Sequence, residues 1–280
     1  MGLAEAGIHV PGFDAEVTGN LPAGWGLSSS AAFEVATALF LLKIAGASLS
    51  SMEIARLCQR AENDFVGVRC GLLDQATSVF GRANHLVLLD FRTDEVRQLP
   101  FPPGLALVIA DSGAPHSLRE SDYGQRRAEC EAAAAALGVR ALRDASEADL
   151  PRLDPLLRRR AAHIVGENDR VLRSSEAVAN GNIDILARAM NASHESSRTL
   201  FENSTRELDL LVEIARSLPG VLASRLTGGG FGGGTVSLVE TAHASTAAQE
   251  LALRYSDRSG HRGETFVSQV AAGATVTLES

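Results

Sequence analysis

The stretch that most constrains this chain is GWGLSSSAAFEVATALFLL, where a glycine–serine loop runs directly into an apolar, alanine-rich segment. The apolar segment predicts a helix from about Ser30 to Ala45, and the alternating residues 13–20 before the loop predict a strand. The N-terminus of a helix carries unpaired N–H groups and a partial positive charge, so anions bind there. A strand, a glycine-rich loop and a long helix in this order favour phosphate binding.

The loop residues are the candidate phosphate ligands. Glycines let the backbone approach a phosphate closely because they carry no Cβ, and serine hydroxyls can hydrogen-bond phosphate oxygens or ligate Mg²⁺. For any single serine, an ordinary helix N-cap is the simpler interpretation. The residues assigned to phosphate binding are Gly24, Trp25, Gly26, Leu27, Ser28, Ser29 and Ser30.

Charge and composition exclude several classes of protein. The chain has 280 residues and a net charge of −8, which argues against a broad nucleic-acid surface. Its one lysine, Lys43, lies in neither a GxxxxGK[ST] loop nor a protein-kinase motif. No apolar stretch reaches the roughly 18 residues of a membrane span, and the first residues lack the pattern of a secretory signal. We therefore expect a cytoplasmic protein that handles phosphate with backbone amides and arginine.

The patterns along the chain predict an α+β fold. Helices are predicted in LSSMEIARLCQRAENDFVG and GLLDQATSVFG, and strands in HLVLLDF and LALVIADS. Helical periodicity dominates residues 117–217, SRLTGGGFGGGTVSLVE predicts two strands joined by a glycine turn, and the end of the chain is β-rich. A boundary at PFPPG divides the chain into residues 1–103 and 104–280.

Three motifs occur in order along the chain: LPAGWGLSSSAA, AENDFVGVRCGLLDQATSVFG and SRLTGGGFGGGTVSLVE. They resemble the phosphate loop, the segment around the catalytic aspartate and the glycine-rich third motif of the GHMP small-molecule kinases. CGLLDQ and SDYGQRR match galactokinases better than homoserine or mevalonate kinases. The resemblance implies a two-lobed GHMP kinase fold, with an N-terminal lobe at 1–103 and a C-terminal lobe at 104–280. It also implies an ATP- and Mg²⁺-dependent kinase that phosphorylates the C1 hydroxyl of galactose.

The resemblance carries specific roles onto three residues. Asp74 is implied as the base that orients the attacking hydroxyl and accepts its proton. Glu62, twelve residues earlier, and Ser30 are implied as ligands of Mg²⁺, with phosphates and water completing the octahedral shell. Without the resemblance, Asp74 would be interpreted as a cap of a short helix and Glu62 as an exposed helix residue.

The resemblance also implies sugar contacts. Tyr123 would touch the sugar through its side chain, and Gly71 through its backbone. The alternative for Tyr123 is an ordinary half-buried ring with its hydroxyl in water. The glycine turn GGGFGGG would support the phosphate loop. Galactokinases often carry a side chain where Gly234 stands, so we expect looser packing there.

One galactokinase motif, of the type GRVNxIGEHxDYxxG, does not occur in the chain. It supplies an arginine near the transferred phosphate and side chains that hold the sugar hydroxyls. We therefore expect a first lobe that is incomplete at its N-terminus and weak or absent galactokinase turnover. Three explanations compete: a start at an internal Met, a natural remnant, and a binding or regulatory protein. The alternative function is thus a non-catalytic sugar or nucleotide sensor. The sequence predicts no particular oligomeric state.

Overall fold

The computed structural model describes residues 2–22, 24–67, 70–114 and 119–277, without the side chains of residues 119–121. The chain forms two compact units. The first comprises residues 1–23, 27–101 and 270–280, and the second comprises residues 24–26 and 102–269. The lobe boundary between residues 103 and 104 stays a prediction.

The first unit is mainly helical. Its helices are α1 (Gly2–Glu5), α2 (Ser29–Ile44), α3 (Ser51–Arg60), a π-helical segment (Ala61–Val66) and α4 (Leu73–Phe80). Two antiparallel strands, β1 (His85–Asp90) and β2 (Glu95–Pro100), follow and pair with His85 opposite Pro100. The predicted helices and the predicted strand HLVLLDF are therefore confirmed.

The core of the first unit lies between α2 and α3. Val35 and Leu42 of α2 are spaced by one heptad and pack with Ile54 and Cys58 of α3, which are four residues apart. These spacings place apolar side chains on one face of each helix. A capping box begins α3, because Ser50 accepts from the Glu53 N–H while the Glu53 carboxylate accepts from the Ser50 N–H.

The strand predicted for residues 13–20 is wrong. These residues form neither helix nor strand, and all of them are exposed. Alternation of apolar and polar residues makes a strand only where a neighbouring strand accepts its hydrogen bonds, and no strand pairs with this segment in the described part of the chain.

The second unit combines a four-stranded antiparallel sheet with helices. Its strands are β3 (Leu105–Asp111), β4 (Val221–Leu226), β5 (Gly234–Glu240) and β6 (Glu264–Ser268), in the order β4-β5-β3-β6. Its α-helices are α5 (Arg119–Leu137), α6 (Pro155–Ala179), α7 (Ile183–Ser196), α8 (Arg206–Arg216) and α9 (Ala244–Ser259), with a π-helical segment (Ser197–Phe201) after α7 and short 3₁₀ turns at Leu142–Asp144 and Glu147–Arg152.

Helices α8 and α9 cover one face of this sheet. Val108 of β3 and Val239 of β5 pack against Leu211 and Leu251, and the hydroxyl of Tyr255 donates to the Ser112 carbonyl at 2.6 Å. The expected β-rich end of the chain is only partly correct. It contains β6, but residues 269–277 form no strand and are held by loop contacts, such as the Gly273 N–H donating to the Gly81 carbonyl.

Candidate active site

Helix α2 begins within the serine run, at Ser29 in the first unit. Ser28 precedes the helix in the left-handed conformation, with φ 57° and ψ 46°, and its side chain makes no cap hydrogen bond. The first helical hydrogen bond runs from the Ala32 N–H to the Ser28 carbonyl. The N–H groups of Ser29, Ser30 and Ala31 therefore precede the hydrogen-bonded ladder, as in an anion-binding helix terminus.

Ser30 and Glu62 are in direct contact. The Ser30 hydroxyl donates to Glu62 Oε1 at 2.8 Å, and Glu62 is only 9% exposed. Glu62 lies in the π-helical segment that continues α3, and Gly67 ends that segment with φ 86°. Single-turn π segments inside helices are frequent at functional sites. Without the family resemblance, the sequence predicts an exposed Glu62. That prediction is wrong, because the carboxylate is buried and accepts a hydrogen bond from Ser30.

Gln75 joins two carboxylates. Its amide nitrogen donates to Glu62 Oε2 at 2.7 Å and to Glu34 Oε2 at 3.2 Å. Burial raises the pKa of the Glu34 carboxyl and the neighbouring Glu62 charge adds to that rise, while the Gln75 hydrogen bond opposes it. The Glu34 and Glu62 carboxylates therefore lie close together near the N-terminal end of α2.

Gly71 and Asp74 follow the π-helical segment along the chain. The Cys70 N–H donates to Asn63 Oδ1 at 2.8 Å, which ties the residue before Gly71 to the π-helical segment. Burial raises the pKa of the Cys70 thiol to about 11, and a hydrogen bond to Glu62 acts in the same direction, so the thiol stays neutral. An added Cβ on Gly71 would meet no described atom within 4 Å, so its backbone faces open space.

Asp74 occupies the first turn of α4 and is exposed. The N-cap of α4 is Leu72, which has no side-chain cap, so Asp74 does not cap this helix. Its carboxylate makes no hydrogen bond within the described residues. Its neighbour in sequence, Gln75, contacts Glu62, which contacts Ser30, whereas no described hydrogen bond joins the Asp74 side chain itself to either residue.

The donor set at Ser30 and Glu62 fits Mg²⁺. A carboxylate and a hydroxyl are oxygen ligands of the kind that Mg²⁺ prefers, and adjacent ligands of an octahedral ion at roughly 2.0–2.1 Å lie about 2.9 Å apart. The Ser30 and Glu62 oxygens are 2.8 Å apart. No group of three or more His, Cys, Asp or Glu within the described ranges forms a metal-binding cluster. A Mg²⁺ site with this donor set would have a small protein share, because Mg²⁺ in kinase sites takes most of its ligands from phosphates and water.

The glycines of the loop belong to the second unit and pack against its glycine turn. Gly24 and Gly26 have φ of 85° and 73°, and an added Cβ on Gly26 would lie 3.2 Å from the Thr227 carbonyl oxygen. Trp25 packs on Phe266 of β6, with ring centroids 5.7 Å apart. Only glycine fits both the backbone conformation and the space at Gly26.

The expected loose packing at Gly234 is wrong. An added Cβ would overlap the carbonyl oxygen of Ala110 and would lie 3.0 Å from that of Trp25. This part of β5 is tight because Gly234 pairs with Asp111 of β3 while residue 25 covers its other side. A side chain at this position would force the backbone of β3 or of the loop to move.

Tyr123 lies on α5 beside the glycine turn of the second unit. It is 41% exposed, and its ring edge is 3.4 Å from the position of an added Cβ on Gly229. Asn203 holds the same turn, because its side-chain amide donates to the Gly229 carbonyl at 3.1 Å and its backbone carbonyl accepts from the Phe231 N–H at 2.7 Å.

Sequence reasoning missed Glu34 and Gln75. A signal for Glu34 was present, because it lies four residues after Ser30 and residues at that spacing share one face of a helix. Gln75 follows Asp74 directly, and its role depends on which side of α4 faces Glu62. That orientation is set by tertiary packing rather than by local pattern.

Comparison with known proteins defines the class. The family model described as "GHMP kinases N terminal domain" matches residues 2–82, and the model described as "GHMP kinases C terminal" matches residues 174–257. Homoserine kinase from Cytophaga hutchinsonii shares the fold, with a TM-score of 0.62 at 18% identity over 91% of this chain and 69% of that one. The chain belongs to the GHMP kinase family and is a phosphotransferase, and the predicted fold class is confirmed.

Within that family, the chain is similar to galactokinases. The galactokinase of Roseiflexus sp. (strain RS-1) is 44% identical over 289 residues, covering 100% of this chain and 74% of that protein. The galactokinase of Thermotoga maritima is 40% identical over 91% of this chain and 73% of that protein. The crystal structure of Lactococcus lactis galactokinase complexed with galactose aligns with a TM-score of 0.89 at 30% identity, covering 98% of this chain and 74% of that one. Across the ranges that the structure describes, no helix is long and apolar enough to cross a bilayer.

Proposed function

We propose that the chain is a sugar kinase that transfers a phosphoryl group from ATP to the C1 hydroxyl of galactose with the help of Mg²⁺. The observation that carries this proposal is the contact of Ser30 with Glu62 at 2.8 Å, joined through Gln75 to the helical turn that bears Asp74. Galactokinases at 40–44% identity support the choice of sugar.

The residues of the first unit take separate roles in this reaction. The N–H groups at the start of α2 would bind phosphate oxygens, because they precede the helical hydrogen-bond ladder and carry the positive end of the helix dipole. Glu62 and Ser30 would hold Mg²⁺. When bound, Mg²⁺ would neutralise charge that develops on the transferred phosphate. Leu27 of the first unit, and Gly24, Trp25 and Gly26 of the second unit, are proposed as further phosphate contacts.

Asp74 would orient the attacking hydroxyl and accept its proton. Its exposed carboxylate is available to a substrate, and a positioned base typically contributes about 10²–10⁴ in rate. The open space at Gly71 would admit the sugar close to the backbone. Tyr123 is proposed as a sugar contact in the second unit.

The test measures ATP consumption by the 280-residue chain with galactose, glucose, homoserine and mevalonate as acceptors. We expect slow consumption with galactose, because the chain lacks the motif of the GRVNxIGEHxDYxxG type that supplies an arginine near the transferred phosphate. The phosphorylated product should have lost its reducing end, because C1 is the anomeric carbon. Asp74→Asn should lower kcat by about 10²-fold or more. The matched control is Asp184→Asn, because Asp184 is also an exposed acid at the second position of a helix, α7.

The outcomes separate the candidate functions. Equal loss of activity in the Asp74 and Asp184 variants would contradict the role of Asp74. Phosphorylation of homoserine or mevalonate in preference to galactose would overturn the choice of substrate. Binding of ATP and galactose without any turnover would overturn the kinase proposal for this chain and support the sensor alternative.

A further inference from the structure

The side chain of Gln75 is completely buried, with 0% exposure, at the centre of the first-unit site. Its amide nitrogen has acceptors on two other helical segments, Glu62 Oε2 at 2.7 Å and Glu34 Oε2 at 3.2 Å, and a longer contact with Cys70 Sγ at 3.7 Å. Its amide oxygen has no hydrogen-bond partner among the described residues. The amide therefore serves the two carboxylates rather than a local backbone contact.

A primary amide is suited to this position. It carries two N–H groups, one for each carboxylate, and it adds no charge to a pair of acids that already repel each other. An apolar side chain of the same size would leave both carboxylates without this donor, at a cost for buried charged groups. A glutamate would add a third acceptor.

The hydrogen bond to Oε2 also fixes the rotation of the Glu62 carboxylate. With Oε2 held by Gln75, Oε1 points at the Ser30 hydroxyl, 2.8 Å away. Because Gln75 follows Asp74 in the first turn of α4, the same side chain ties the turn that bears Asp74 to α2 and to the π-helical segment. No other described side chain is hydrogen-bonded to both Glu62 and Glu34.

We propose that Gln75 is a positioning residue that orients Glu62 for Mg²⁺ and sets the place of Asp74 relative to the Ser30–Glu62 pair. This inference rests on the proposed function, because it assigns Gln75 to the phosphoryl-transfer site. It differs from a purely structural role in one measurable respect. If the Gln75 amide had only a structural role, its substitution would weaken the binding of every ligand equally. If it orients Glu62, its substitution should weaken nucleotide binding only when the metal is present.

The experiment compares nucleotide affinity with and without metal in Gln75→Met. Titration calorimetry is run with ATP plus Mg²⁺ and with ATP plus EDTA. Groups that orient metal ligands typically change metal affinity by about 10–100-fold when they are removed. We expect ATP–Mg²⁺ to bind about tenfold or more weakly, and ATP in EDTA to bind within about twofold of wild type.

The matched control is Gln98→Met. Gln98 is a glutamine of the same unit whose amide donates to the Phe80 carbonyl at 2.7 Å and whose amide oxygen also has no partner in the described chain. It touches neither Glu62 nor Glu34. Its substitution should leave the ratio of the two affinities unchanged.

Two further variants, Gln75→Asn and the double variant Glu62→Gln/Gln75→Met, test the positioning role independently. If thermal unfolding shows that Gln75→Met does not fold, Gln75→Asn takes its place. This variant retains the amide but is one methylene too short to reach both carboxylates. It should show the same metal-selective loss of nucleotide affinity. In a Glu62→Gln background, Gln75→Met should have no further effect on ATP–Mg²⁺ affinity, because Gln75 acts through Glu62.

The results distinguish this inference from the proposed function. If wild type fails to bind ATP–Mg²⁺, the proposed function fails and the inference fails with it. If wild type binds but the Gln75 variants weaken both forms of the nucleotide equally, or neither form, the positioning role alone is wrong.

Discussion

His163 should make the stability of the second unit depend on pH. Its ring is 7% exposed, is stacked on Phe201 with centroids 4.4 Å apart, and is hydrogen-bonded through Nδ1 to the Ser196 hydroxyl at 2.9 Å. Burial lowers the pKa of His163 from 6.5 to about 4; the charges of Arg170 and Arg225 act in the same direction and that of Glu167 opposes them.

The sign of the effect follows from which state binds the proton. Above pH 6.5 the ring is neutral in both states, so its stabilising contribution is fully present. As the pH falls from 6.5 toward 4, the unfolded chain is protonated while the folded chain is not, so stability is lost. With these two pKa values, His163 should lower the free energy of unfolding by about 2 kcal/mol at pH 5 and by only about 0.2 kcal/mol at pH 7.

The assay compares wild type with His163→Phe by urea unfolding at pH 7 and pH 5, followed by circular dichroism. Other acids that titrate in this range contribute to both proteins, so the difference between them isolates His163. We expect the variant to lose about 2 kcal/mol less than wild type between the two pH values. The control His9→Phe removes an exposed histidine instead.

A direct measurement of the same quantity is an NMR titration of the His163 ring. A midpoint near 6.5, or an equal loss of stability in wild type and His163→Phe, would refute the reasoning. Either result would mean that the ring is more accessible to water than its burial indicates.

Three other substitutions test the site and its supports. Glu62→Gln should weaken ATP–Mg²⁺ binding more than ATP binding in EDTA, as measured by calorimetry, and equal weakening would remove Glu62 from the metal ligands. Gly234→Ala should lower the free energy of unfolding by about 1–3 kcal/mol, because its Cβ would overlap the Ala110 carbonyl oxygen; an unchanged urea midpoint would contradict this. Arg160→Met should cost about 3–5 kcal/mol, because Arg160 is 2% exposed and donates to the Glu129 carboxylate at 2.6 Å; a loss below 1 kcal/mol in urea unfolding would show that the remaining partners of Glu129 suffice.

Elements with a strong local signal could be predicted from the sequence. Helix α2 begins and ends within one residue of its expected bounds, Ser30 and Ala45, because a long apolar, alanine-rich run lies between the glycine–serine loop and Gly46. The strand expected at residues 13–20 failed because pairing depends on a neighbour that local alternation cannot supply. The tight packing at Gly234 also depends on residues distant in sequence, on β3 and at Trp25.

Glu62 is an acid at a position where the spacing of α3 places apolar residues. Ile54 and Cys58 lie on the buried face of α3, and Glu62 continues the same four-residue spacing into the π-helical segment. A carboxylate at that place costs stability unless hydrogen-bond donors surround it. Ser30 and Gln75 provide those donors, one to each oxygen. An acid on an apolar face is a local inconsistency that proteins retain mainly at functional sites, and its burial beside Ser30 and Gln75 distinguishes Glu62 from the exposed helix residue that local sequence predicts.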